Sequence, residues 1–343
     1  MRLVATAIAA VERLPVPDRM LRLGIAGLVG RTSWRLTRQP LADDAFAATM
    51  DAYPIATHVE EANAQHYELP AGFFELVLGP RRKYSCCLYP SHATTLETAE
   101  VAALEASCLH AGLVDGQSIL ELGCGWGSLS LFMAERFPRS NIVAISNSRP
   151  QRLFIEAEAR RRDLSNLRVI TADMNDAAPR GRFDRIVSIE MFEHMSNWRE
   201  LLRRARSWLE PDGRLFAHVF THRSSPYRFD HADKADWIAN HFFTGGIMPS
   251  HGLLQQFPES FAVERAWRWN GRHYARTAED WLARFDANRA EIARLFTATY
   301  GPHAPLWMRR WRLFFLATAG LFGHGDGEVW GVSHFLMRPA ATE

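Results

Sequence analysis

The densest set of chemically capable side chains in this 343-residue chain is the run Ser188-Ile189-Glu190-Met191-Phe192-Glu193-His194-Met195, two carboxylates and an imidazole following an apolar stretch. Such groups accept protons. A nucleophile that must lose one reacts faster beside them, and an amine, mostly protonated near neutral pH, is the clearest case. Glu190, Glu193 and His194 are therefore the candidate catalytic residues. Glu190 ends an otherwise apolar strand, where an uncompensated carboxylate is costly and a purely structural role would not offset that cost. For Glu193 and His194 the competing reading is a glutamate in a first helical turn with the histidine as its partner. His218, amid Leu215, Phe216, Val219 and Phe220, stays open between a hydrogen-bonded core histidine and a functional one.

A second cluster, Ile119–Gly127, reads Ile-Leu-Glu-Leu-Gly-Cys-Gly-Trp-Gly: a buried strand, a glycine turn and the start of a helix. Glycines at 123, 125 and 127 let the backbone turn sharply and approach a ligand where a Cβ would collide. A dinucleotide loop would place Gly or Ala where Ser128 stands, and a phosphate loop requires a lysine that is absent. The pattern that remains, hydrophobic-x-Glu-Leu-Gly-x-Gly-x-Gly, is similar to the S-adenosylmethionine loop of class I methyltransferases, whose cofactor carries no phosphate.

These clusters need a parallel sheet to position them. Short apolar runs at Ser118–Leu122, Asn141–Ile145, Leu167–Thr171, Asp184–Ile189 and Arg214–Phe220 alternate with helical patterns at Gly127–Arg136, Arg149–Arg161 and Asn197–Leu209. Ligands of such sheets sit beyond the strand C-termini. The alternation breaks at Thr221–Phe257, which reads as a lid, followed by a strand at Phe261–Trp269. A helical insertion over Thr277–Leu321 carries Trp281, Phe285, Ile292, Phe296, Trp307, Trp311, Phe314 and Phe315, an aromatic stripe expected to pack helices together. A strand at Val329–Met337 closes the sheet. The expected fold is α/β, a Rossmann-like seven-stranded sheet with an N-terminal helical layer and helical lid insertions, divided into a helical region at 1–83 and a catalytic domain at 84–343.

Composition narrows the function further. A net charge of +2 argues against a nucleic-acid partner, which calls for a concentrated basic face. Residues 1–40 hold seven arginines against Glu12 and Asp18, while residues 41–70 hold six acids and no Lys or Arg. That stretch could form a basic amphipathic helix on an anionic membrane, but a helix packed on its own domain is the favoured reading. No apolar run reaches the roughly 18 residues of a membrane span, and Ala5–Ala10 lacks the flanks of a signal peptide, so a cytoplasmic location is expected. Cys86, Cys87, Cys108 and Cys124 have neither disulfide nor metal-ligand spacing; reduced thiols and no metal are expected. With only Lys83 near the adjacent pair, thiol catalysis is disfavoured.

Taken together, Tyr84-Ser85-Cys86, Glu121–Gly127, Ser146-Asn147-Ser148 with Gln151, Glu190–Met195 and Phe242–Ser250 resemble the cyclopropane-fatty-acyl-phospholipid synthase superfamily of S-adenosylmethionine enzymes, in its coclaurine N-methyltransferase-like branch. The resemblance covers about residues 67–338. It implies that Tyr84 and Ser85 close over the methionine part of the cofactor, that Gly123 and Gly125 line it, and that Ser146, Asn147 and Gln151 meet the ribose. Asp173, Met174 and Ile189 should flank the adenine. The acidic residue that most class I methyltransferases place after the second strand is here replaced by Ser146-Asn147.

The resemblance also implies two acceptor chemistries. Cyclopropane synthases use a bicarbonate base held by residues corresponding to Cys86, Glu193, His218 and Tyr274, all present, and that alternative would bring contact with a lipid membrane. The synthases usually carry glycine where Glu190 stands, whereas the N-methyltransferase branch carries glutamate. Methylation of a small, aromatic amine is the expected activity. A non-catalytic cofactor-binding protein is the third reading, disfavoured by the intact Glu190, Glu193 and His194.

Overall fold

The computed structural model describes residues 10–57, 69–229 and 236–341. Its centre is a seven-stranded sheet in the order β3-β2-β1-β4-β5-β9-β8. The strands are β1 (Ser118–Leu122), β2 (Asn141–Ser146), β3 (Leu167–Thr171), β4 (Phe183–Ile189), β5 (Leu209–His222), β8 (Phe261–Asn270) and β9 (Trp330–Pro339). β6 (Tyr227–Arg228) and β7 (Ile247–Met248) form a separate two-stranded ribbon. β1 to β5 pair in parallel, while β9 runs antiparallel to β5 and β8. The parallel strands are covered on both faces and so read as nearly continuous apolar runs.

Chain order reverses between β1 and β4, which are direct neighbours, with Leu122 paired to Ser188. A crevice opens beyond the strand ends at such a switch point. It receives the glycine turn after β1 and residues 190–195 after β4. One boundary differs from the sequence expectation: the Pro211-Asp212-Gly213 turn lies inside β5. Phe183 pairs with Leu209 and Arg185 with Arg214, so Glu210–Gly213 bulge out of the ladder and the strand begins five residues early.

Eleven helices of five or more residues are described. They are α1 (Asp18–Arg38), α2 (Asp43–Thr49), α3 (Ala71–Val77), α4 (Leu96–His110), α5 (Ser128–Arg136), α6 (Arg149–Arg161), α7 (Trp198–Trp208), α8 (Trp237–His241), α9 (Arg272–Ala287), α10 (Arg289–Tyr300) and α11 (Ala304–Gly323). Side-chain caps explain several starts: Thr95 accepts from the Thr98 N–H, Ser148 from Gln151 and Asn197 from Glu200. The second insertion is longer than its aromatic period indicated. It begins at Arg272, directly after Gly271, where a Cβ would collide with the Trp330 and Phe322 carbonyls.

The aromatic stripe does pack helices. Trp281, Phe285, Phe296, Trp311 and Phe315 share one buried cluster with Phe73 and Phe74 of α3, and with Val29 and Leu36 of α1. The arginine-rich α1 lies on α11, where Ile25 sits against Gly320, and is tied down by Arg312 bonding Asp18 and by the Arg22–Glu279 ion pair. Its opposite side leaves Met20, Leu23 and Trp34 exposed. No described helix is long and apolar enough to cross a membrane.

Candidate active site

The glycine turn works in two ways. Gly123 and Gly127 have φ of 77° and 79°, and a Cβ there would strike Met191 Cγ at 2.5 Å or Ile155 Cγ1 at 2.6 Å; packing of the turn against neighbouring side chains excludes one. Gly125, with φ of 50°, would direct a Cβ into open space. Only Gly125, the middle one of the three, matches the expectation of backbone opened toward a ligand.

That space belongs to one cavity at the switch point. Tyr84, Ser85, Gly123, Gly125, Ser146, Asn147, Gln151, Asp173, Met174, Ile189, Glu190 and His194 all line it. Glu193 does not line it. Its side chain is fully buried, one carboxylate oxygen accepts the Phe220 N–H at 2.6 Å, and the other has no hydrogen-bond partner among the described residues. Burial, reinforced by neighbouring Glu190, pushes the Glu193 pKa well above the usual carboxylate range.

Glu190 is the best-held side chain of the site. Its backbone has φ of 47°, a left-handed conformation uncommon for glutamate and natural for glycine, and its N–H is bonded to the His218 carbonyl at 2.8 Å. One carboxylate oxygen accepts the Cys86 N–H at 2.9 Å and faces His218 Nε2 at 3.1 Å; the other accepts the Tyr274 hydroxyl at 2.6 Å. Burial raises the Glu190 pKa, while the Lys83 cation, the Tyr274 hydroxyl and the Cys86 N–H act in the opposite direction. Lys83 is itself buried, with Nζ bonded to Ser85 Oγ and to the Cys86 carbonyl at 2.8 Å. The sequence noted Lys83 only as a basic neighbour of the adjacent cysteines and did not show the convergence on Glu190, because α9 and the segment before α4 meet β4 only in three dimensions.

Cys86 and His218, beside Glu190, are held neutral. Burial raises the Cys86 thiol pKa, with Glu190 adding to it, so no thiolate nucleophile forms. Burial lowers His218 well below its ordinary value. His194 stacks on Phe243 at 5.0 Å, and Trp126, Phe220, Phe243 and Phe314 complete an aromatic wall. Glu121, at the base of the cavity, is raised by burial to about 7, although Ser130 Oγ donates to it.

The wall fits a phosphate-free cofactor. Asp173 and Glu190 face the cavity, with Glu121 at its base and Arg82 and Lys83 also in its lining, so both signs of charge are present; Gly125 leaves room for a ligand, and the buried Gln151 Nε2 and Trp126 Nε1 have no partner among the described residues. Gln151 Oε1 accepts from Ser146 Oγ at 2.7 Å, which turns its amide nitrogen toward another acceptor. Among the described residues no cluster suited to a metal ion is found.

A mixed seven-stranded sheet with this glycine turn and a crevice at the strand ends defines an S-adenosylmethionine-dependent methyltransferase of class I, and S-adenosylmethionine is its cofactor. Residues 56–332 match the model of the mycolic acid cyclopropane synthetase family, to which this chain belongs. It is 38% identical over 289 residues to (S)-coclaurine N-methyltransferase of Thalictrum flavum subsp. glaucum, covering 83% of this chain and 80% of that one. A crystal structure of coclaurine N-methyltransferase bound to N-methylheliamine and SAH superposes with a TM-score of 0.93 at 34% identity, over 98% of this chain and 99% of that one. The cyclopropane synthase MmaA2 of Mycobacterium tuberculosis gives 0.71 at 27% identity, over 82% of this chain and 98% of that one.

Proposed function

We propose that the enzyme methylates the nitrogen of a small aromatic amine. The observation that carries this reading is the Glu190 carboxylate at the cavity wall, held by the Cys86 N–H, the Tyr274 hydroxyl and His218. An ammonium group entering beside it gains a charge-assisted hydrogen bond in a site of low dielectric, and the aromatic wall adds cation–π attraction. The coclaurine and pavine N-methyltransferases among the relatives are named for acceptors of this kind.

When bound, S-adenosylmethionine supplies a methyl group on a positively charged sulfur. Tyr84, Ser85, Gly123 and Gly125 would hold its methionine part, Ser146, Asn147 and Gln151 its ribose, and Asp173, Met174 and Ile189 its adenine. Glu190 takes the N–H proton of the incoming ammonium, which frees the nitrogen lone pair. His194, fixed by its stack on Phe243, orients the nitrogen. Glu193 braces the turn through the Phe220 N–H. The acceptor enters between the described parts of the expected lid, 221–229 and 236–257, which give the cavity Phe243, and the helices of the second insertion, which give it Phe314; residues 230–235 of that lid lie outside the described residues.

The cyclopropanation alternative fits less well for a geometric reason. The Cys86 N–H, His218 Nε2 and the Tyr274 hydroxyl, which the bicarbonate reading would leave for that anion, are engaged by Glu190 itself. Titrating a secondary benzylisoquinoline-type amine into the SAH complex tests the proposal: Glu190→Gln should weaken amine binding at least about tenfold. Equal binding by both proteins would count against Glu190 as the recognition group.

A further inference from the structure

Behind Glu190 a chain of three histidines leads out of the active site. Glu190 Oε1 lies 3.1 Å from His218 Nε2, His218 Nδ1 lies 2.8 Å from His334 Nε2, and His334 Nδ1 lies 2.7 Å from His110 Nδ1. The sheet builds this line. His218 on β5 is directly paired with His334 on β9, and His334 with Trp267 on β8, so the three side chains share one face at one level. His110, the last residue of α4, stacks on Trp267 at 4.0 Å with the rings 4° from parallel, which places its Nδ1 against His334. His218 and His334 are fully buried while His110 is half-buried, so the line runs from the buried carboxylate toward the surface.

Three histidines are an expensive way to fill a sheet. Each neutral imidazole has one donor and one acceptor nitrogen. Here every inner nitrogen meets the next group, so the chain is satisfied only when all three rings adopt the same tautomer sense. Leu, Phe or Val on the same face would fill the volume without that constraint. The groups facing the chain favour neutral rings: burial is the main cause at each, with Arg265 acting on His110, and the Lys83 cation acting on His218 and His334.

We propose that His218, His334 and His110 form a proton relay that carries the proton taken up by Glu190 to the surface. The inference rests on the amine reading for the proton's origin. Methylation of a secondary ammonium forms the N–C bond, breaks the S–C bond with its electron pair left on sulfur, and yields a tertiary ammonium plus one proton on Glu190. The Glu190 carboxyl proton passes to His218 Nε2 as His218 Nδ1–H passes its own to His334 Nε2. His334 Nδ1–H then donates to His110 Nδ1, and His110 releases its Nε2 proton to water. One passage leaves all three tautomers reversed, with His218 Nε2–H again donating to the emptied Glu190 carboxylate, so the rings must turn over each time Glu190 becomes protonated before they take its proton. The histidines do not touch the acceptor; they act through Glu190.

A relay and a structural brace separate in time. The first methyl transfer needs only an ionised Glu190, whereas every later one needs Glu190 emptied. Rapid-quench assays with S-adenosylmethionine and a secondary benzylisoquinoline-type amine should show, for His110→Ala and His334→Gln, a first turnover within about threefold of wild type followed by steady turnover at least about tenfold slower. Imidazole in the buffer should restore the steady rate of His110→Ala, and calorimetry should give unchanged cofactor affinity. First and later turnovers slowing together, neither slowing, or no response to imidazole would overturn the relay. Wild-type protein that methylates no amine would instead overturn the amine reading.

Discussion

Replacing Glu121 by glutamine should remove a pH dependence built into the base of the cavity. Glu121 is only 2% exposed, and burial raises its pKa from an ordinary 4.5 to about 7 in the folded chain. A raised folded pKa on an acid means that the folded state binds the proton more tightly than the unfolded one. Stability from this residue is therefore greatest below 4.5, falls as pH rises from 4.5 to about 7, and is level above that. The gap between the two pKa values corresponds to about 3 kcal/mol as a ceiling. At roughly 2.1 cal/mol/K of unfolding entropy per residue, the ceiling amounts to about 4 °C in Tm. Glutamine keeps the shape and an acceptor for Ser130 Oγ but does not titrate. Urea unfolding of the cofactor-free protein at pH 5 and 8.5 should show wild type losing stability relative to Glu121→Gln across that interval. The difference between the two proteins isolates Glu121 from Glu190 and Glu193, which titrate in both. Parallel pH curves would refute the assignment.

Other substitutions separate binding from chemistry. Gly125→Asp places a carboxylate in the open space beside the turn and imposes φ of 50° on a non-glycine residue, so calorimetry should find no S-adenosylmethionine binding by a folded variant. Glu190→Gln should lower turnover by about 10²–10⁴-fold with cofactor affinity nearly kept, measured with chemistry rate-limiting. Glu193→Gln, the conservative change at the buried carboxyl, should cost less than about tenfold in the same assay, because its Phe220 contact survives and it does not line the cavity.

Much of this site was legible because local rules suffice for it. The strand, turn and helix at 118–136 follow from apolar runs and three glycines. The residues expected around the cofactor came instead from the family resemblance, and they line one cavity with Gly125 opening into it. Local pattern also placed Glu190, since a carboxylate ending an apolar strand stands out. It could not rank Glu190 against Glu193, three residues apart, because Glu190 lines the cavity while Glu193 is buried against the Phe220 N–H, a difference that only the folded turn after β4 shows. Nor could spacing reveal that Lys83, Cys86, His218 and Tyr274 converge on Glu190, or that His110 lies against His334 across 224 residues. His218 alone is an ambiguous core histidine; its meaning comes from strand register, which no single strand encodes.

The most direct test of the central claim is acceptor choice. Purified enzyme with methyl-labelled S-adenosylmethionine would be offered secondary benzylisoquinoline-type amines and vesicles of unsaturated phospholipid in one reaction, with products resolved by mass. Label in an N-methyl amine, lost in Glu190→Gln, is the predicted result. Label in cyclopropane acyl chains with no methylated amine would contradict it.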